Sequence, residues 1–148
     1  MKIYQKIYWL KKGNLFELVD ILKKKKYIRK RKELFDLFQS PLFDIKVHWN
    51  REKKYHLAYL LYRLFNEDYI RITGNRGYFC YAEWVFCDME EKPFKKNSLK
   101  KISSKITIEK DKYSHVSKEV DDMSKFFFIF FNIQNFYEIY SDICILTF

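Results

Sequence analysis

The chain has 148 residues and a formal charge of +10, with 48% hydrophobic and 20% aromatic residues. That length fits one domain, able to bury about 68–70% of the surface its unfolded chain exposes, and the apolar content excludes a disordered polyelectrolyte. Three glycines and two prolines are too few for the tight turns of a sandwich or barrel, so a mainly α fold with a small β component (α+β) is expected.

Only six of the 29 basic residues are arginine: Arg29, Arg31, Arg51, Arg63, Arg71 and Arg76. Lysine is a flexible point charge, whereas the planar arginine fork suits bidentate recognition of phosphate and bases, so a lysine excess marks a specific site only weakly. About half of the chain is Lys, Phe, Ile, Tyr or Asn, the residues of A/T-rich codons. Base composition therefore competes with function as a source of the charge.

Residues 1–42 read as a basic N-terminal helical segment. Met1 to Lys32 holds twelve basic residues against Glu17 and Asp20, which equals the net charge of the whole chain. Its first ten residues are charged and aromatic and lack the apolar run of a secretory signal. With three sparse cysteines, Cys80, Cys87 and Cys144, a reduced, cytoplasmic protein is expected. Leu15, Leu18, Val19 and Leu22 follow helical spacing, with Asn14 placed to cap and Lys23 to Lys26 in the last turn, where cations suit the dipole. Leu34, Phe35, Leu37 and Phe38 make a second helical piece ended by Ser40 and Pro41, and Lys23 to Lys32 would be the junction between the two.

Residues 43–125 read as a core helical domain with short strands. Phe43, Ile45, Val47 and Trp49 alternate with Asp44, Lys46 and His48, the pattern of a half-buried strand. Asn50 can cap a helix with Leu57, Leu60, Leu61, Leu64 and Phe65 on one side and Arg51, Lys53, Lys54 and Arg63 in water. Tyr69 to Thr73 reads as a short strand closed by Gly74 to Gly77. Tyr78 to Asp88 fits a helix, although its aromatic content would also suit a hairpin arm. Met89 to Lys96 is a loop, after which Asn97 or Ser98 opens a helix with Leu99, Ile102 and Ile106 inward. Ser117 can cap a last helix through Val120, Met123 and Phe127.

Residues 126–148 form an apolar C-terminal segment long enough in principle to span a bilayer. Asn132, Gln134, Asn135, Glu138 and Asp142 inside it oppose a span, because an ionised carboxylate at the helix centre costs about 2.5–3.5 kcal/mol. Packing on the core, or an extension that stays poorly ordered, are the alternatives.

The chemical signatures are negative. There is no glycine-rich phosphate loop, GxSxG, HExxH or Cys/His metal spacing, so no enzyme activity, cofactor or metal is expected. Cys80 and Cys87, seven apart, would share a helix face but belong to no CxxC pair. His48, His56 and His115 are dispersed and fit structural or exposed roles, and the carboxylates at Asp88, Glu90, Glu91 and at Asp121, Asp122 fit a solvated surface.

Charge and shape remain. Helices with basic outward faces beside short β elements are compatible with a single winged-helix-like domain that binds DNA. One candidate surface is the helix bearing Lys100, Lys101 and Lys105, with Lys95 and Lys96 before it and Asn97 or Ser104 as hydrogen-bonding groups. A second is the N-terminal run, with Lys24, Lys25, Lys26, Arg29, Lys30 and Arg31. The loop Gly74 to Gly77, with Arg76 at its tip, is placed to act as a wing in the minor groove.

Ile45-Lys-Val-His-Trp49, then His56-Leu-Ala-Tyr-Leu-Leu-Tyr-Arg-Leu64 and Tyr69-Ile70, resembles the C-terminal part of RteC-like proteins of Bacteroides-type mobile elements. Lys92-Pro93-Phe94 and Asn97-Ser98-Leu99 are similar in style to the loop and helix that follow there. The resemblance covers about residues 43 to 125 and rests on an aromatic and aliphatic pattern. It implies a small helical domain and regulation of element excision through DNA, and it carries over no functional residue. The expectation is a non-enzymatic nucleic-acid-binding regulator, DNA favoured. Its alternative is a protein-interaction or structural domain that offers exposed aromatics and its apolar tail to a partner, its own copy included. A third reading is attachment of the basic N-terminus and apolar tail to an anionic membrane.

Overall fold

A computed structural model describes residues 7–10, 15–39, 45–72 and 77–123. It is mainly helical with two small two-stranded sheets, the α+β composition expected from the scarcity of turn residues. In chain order the elements are β1 (Ile7–Trp9), α1 (Leu15–Lys24), α2 (Arg31–Gln39), β2 (Val47–His48), a 3-10 turn (Arg51–Lys53), α3 (Lys54–Asn66), β3 (Ile70–Ile72), α4 (Tyr78–Val85), β4 (Phe86–Cys87) and α5 (Lys96–Ile108). A further helix, α6, covers 114–123. Buried residues on both sides of residue 42, from Leu15 in α1 to Met123 in α6, belong to one hydrophobic core.

The helices follow their apolar spacing. Leu15, Leu18, Val19 and Leu22 of α1, Leu57, Leu60, Leu61 and Leu64 of α3, and Leu99, Ile102 and Ile106 of α5 are buried. Phe65 departs from its expected place in the core. It is 40% exposed and stacks on Tyr78, with ring centroids 4.7 Å apart. Asn50 caps as expected, its side-chain oxygen accepting from the Glu52 amide at 3.0 Å, but what it opens is the 3-10 turn ahead of α3.

α1 and α3 end alike. Tyr27 N donates to Leu22 O and Lys26 N to Lys23 O, while Tyr69 N donates to Leu64 O and Asp68 N to Phe65 O. This is the Schellman pairing, which places its C′ residue in the left-handed region. Lys26 and Asp68 occupy that position, with φ of 62° and 59°. In each case a buried tyrosine, Tyr27 or Tyr69, follows and seals the helix end. A left-handed non-glycine residue costs about 1 kcal/mol or more, so Lys26→Gly should raise the urea midpoint by an amount equivalent to about 1 kcal/mol. An unchanged midpoint would mean the lysine is not strained there.

β1 and β3 pair antiparallel, Ile7 opposite Ile72 and Trp9 opposite Ile70. β2 and β4 pair parallel, Val47 beside Phe86 and His48 beside Cys87. Bridges from Ile28 to Trp49 and from Cys87 to Pro93 extend this second patch. α5 packs chiefly on α3 and α4, whereas α1 and α2 pack on each other and α2 meets β1 and β2.

Several expectations are corrected. The strand anticipated from Phe43 to Trp49 is only Val47–His48 among the described residues, and His48 is 4% exposed instead of facing water. The run Lys23 to Lys32 is no simple junction: it closes α1, contributes the Ile28 bridge and opens α2. Tyr78 to Asp88 divides into helix α4 and strand β4, so Cys80 and Cys87 do not share a helix face. α5 begins at Lys96 without a side-chain cap, and Ser98 instead accepts a hydrogen bond from Lys54 at 3.1 Å. α6 begins three residues before Ser117, whose hydroxyl donates back to Ser114 O at 3.2 Å. β1 had no counterpart in the sequence reading. Asn14, Ser40, Pro41, Gly74 to Arg76, Phe127 and the C-terminal segment lie outside the described residues. Among the described residues no helix is long and apolar enough to cross a membrane.

Candidate nucleic-acid interface

α5 carries Lys96, Lys100, Lys101 and Lys105 and contains no acidic residue. All four, and Lys95 before them, are exposed, and none pairs with a carboxylate among the described residues. The amphipathic spacing causes this: Leu99, Ile102 and Ile106 point at α3 and α4, which leaves the lysines outward. Asn97 and Ser104 are exposed on the same helix.

The arginines are differently placed. Arg29 donates to Glu33 at 2.7 Å, Arg31 to Asp20 at 3.0 Å and Arg51 to Asp88 at 2.6 Å. Arg63 pairs with Asp121 and, at 2.7 Å, with Glu67. Arg71, exposed like Arg29, Arg31 and Arg51, is the described arginine without a carboxylate partner among the described residues. In the N-terminal run, then, Arg29 and Arg31 are matched, Lys24 meets Asp20 at 3.0 Å, and Lys25, Lys26 and Lys30 are exposed. The run touches the cap of the 3-10 turn ahead of α3, where Asn50 N donates to Tyr27 O at 2.8 Å, and Lys54, four residues on, reaches Ser98 of α5. Arg76, the proposed tip of a wing, lies outside the described residues.

A cleft of about 630 Å³ opens along α5, lined by Lys96, Lys100, Ser103 and Ser104 on one wall and by Tyr62, Tyr78, Phe79 and Cys80 on the other. Tyr78 is tied to Ser103 by a hydrogen bond, and burial pushes its phenol above its ordinary range. A second hollow of about 460 Å³ shares Tyr62 and Thr107 and continues to Lys110.

Two of the three histidines are held in structural pairs. His48 Nδ1 meets Glu33 at 2.9 Å, and the same carboxylate accepts the His48 amide at 3.1 Å. His56 Nε2 meets Glu119 at 2.8 Å, where Tyr27 also donates at 2.9 Å. Burial drives the His56 pKa below its ordinary value against the pull of Glu119. Burial also raises the pKa of the Cys87 thiol, which keeps it protonated and inert. The acidic clusters are not wholly solvated surface. Asp88 is buried and its carboxylate accepts the Glu90 and Lys92 amides, each at 2.9 Å, while Asp121 binds Arg63 and Tyr59. Glu33 and Glu119 sit 15 and 63 residues from the histidines they hold, a separation that no local spacing signals. Among the described residues no group of histidine, cysteine and carboxylate could hold a metal ion. No family model, curated protein or solved structure matches the chain.

Proposed function

We propose that the protein is a non-enzymatic nucleic-acid-binding regulator whose principal contact element is α5. The carrying observation is the contrast of charge: four described arginines are neutralised by carboxylates, whereas the lysines of α5, a helix without acidic residues, pair with no carboxylate among the described residues. A solubilising face would share the chain's acidic residues, since mixed signs serve solubility as well. One sign on one helix favours a polyanion. Lys54 and the exposed Lys25, Lys26 and Lys30 extend the same charge toward the N-terminal run. DNA is the favoured ligand class, in keeping with the role that the RteC-like pattern implies.

Binding to a labelled DNA probe across a salt series tests this. Each neutralised phosphate contributes a log–log slope of about 0.9 on duplex DNA, so five lysine contacts give a slope near −4.5 and the variant Lys100→Glu/Lys101→Glu/Lys105→Glu should lose about 2.7 of it. A slope unchanged in the variant would move the contact elsewhere. Absence of binding at about 50 mM salt would overturn the proposal.

A further inference from the structure

We infer that the cleft beside α5 takes an unpaired nucleotide, so that the protein prefers single-stranded nucleic acid to duplex; the inference rests on the nucleic-acid reading above. A duplex can use only the convex lysine face, because its bases are stacked and paired within the helix. The cleft offers more. Its volume of about 630 Å³ falls within the range of about 300–1,000 Å³ typical of small-ligand sites. Lys96 and Lys100 line one wall, with the hydroxyls of Ser103 and Ser104 beside them, and no carboxylate lines it among the described residues. The opposite wall is aromatic. Tyr62 and Tyr78, from α3 and α4, are each half-buried.

Cations beside flat rings in a concave strip are the chemistry of a strand-binding track. Phosphates meet the ammonium groups while a splayed base rests on an aromatic wall, and any base has a face to offer. The wall is also pre-set. Tyr62 packs on Tyr59 at 6.3 Å and Tyr78 on Phe65 at 4.7 Å, so little rotamer entropy is lost on binding. The adjoining hollow carries the strip on to Lys110, and the Asp121 at its side is neutralised by Arg63. This is longer than one nucleotide needs and suits a chain.

The test is fluorescence anisotropy with a labelled mixed-sequence DNA single strand of about 16 nucleotides and the duplex of the same sequence, at one low salt concentration. The single strand should bind at least about tenfold more tightly. Tyr62→Leu keeps an apolar side chain while removing the ring, and loss of one stacked base predicts about a 5- to 150-fold fall in single-strand affinity with duplex affinity unchanged. Because a half-buried tyrosine also contributes to folding, Ser104→Leu provides a second variant. Ser104 is exposed on α5 and lines the cleft, so leucine there narrows the cleft while leaving both tyrosines and every lysine in place, and it should weaken the single strand alone. Equal affinity for both probes, or variants that weaken the single strand and the duplex equally, overturns the inference and leaves the lysine face as a duplex contact. Failure of both probes to bind the parent protein overturns the nucleic-acid reading with it.

Discussion

Trp49→Ala is expected to cost about 3–5 kcal/mol. Trp49 is 1% exposed and sits where three parts of the chain meet. Its amide donates to Cys87 O at 2.8 Å, its backbone bridges Ile28, and its indole Nε1 donates to Lys53 O at 2.8 Å. Its ring packs on Tyr27 at 5.7 Å and edge-on to Phe86 at 6.2 Å. Removal leaves a cavity between rings fixed by separate elements, and such a site collapses poorly. A urea unfolding series reads the effect. Phe16→Ala, at a residue 63% exposed, is the matched control and should stay within about 0.5 kcal/mol. A Trp49 loss of the same small size would mean that the two sheet strands and the Ile28 segment are not held through this ring.

The sequence made the helices legible because each buries a stripe that repeats with helical period, and the stripes of α1, α3 and α5 are long enough to register. The strands were harder. β2 has two residues and β4 two, so their identity comes from pairing with distant segments, and His48 is buried because Glu33 meets it and not because of any alternation. β1 is only three residues, between Lys6 and Leu10, too few to carry a period, and Ile72 and Ile70 define it from across the sheet. At the candidate interface the lysines of α5 were visible as soon as its apolar stripe was. Their functional contrast was not, because it depends on which arginines carboxylates neutralise, and the pairs Arg51–Asp88 and Arg63–Asp121 span 37 and 58 residues. The aromatic wall was equally hidden. Tyr62 and Tyr78 come from two helices, and only the packing of α3 and α4 about α5 sets them around one cleft.

Those long-range pairs make stability depend on pH in one direction. Glu119, from α6, gathers Tyr27 from the turn after α1 and His56 from α3, with Lys53 at 3.6 Å, so one carboxylate fastens three elements. The Tyr27 hydrogen bond, then His56, holds its pKa below the ordinary 4.5. Hydrogen bonds from the His48 amide and Arg29 likewise lower Glu33 despite burial. A carboxylate with a lowered folded pKa contributes stability that is full above its unfolded value and is lost as pH falls through the folded one. His56 adds to this from higher pH. Its folded pKa lies below the ordinary 6.5, so between those values the unfolded chain takes up the proton more readily and stability falls. The urea midpoint should therefore decline first as pH drops below about 6.5 through His56, then again below about 4.5 through Glu119 and Glu33. His56→Gln should flatten the first decline and leave the second. Glu119→Ala strands the Tyr27 hydroxyl and the His56 ring together, an effect of about 1–3 kcal/mol near neutral pH. It should also weaken the second decline, since the group that would be protonated is gone. A midpoint that stays level from neutral pH to about pH 4 would break the link between these buried pairs and the seating of α6, whose Val116, Val120 and Met123 would then hold it by apolar burial alone.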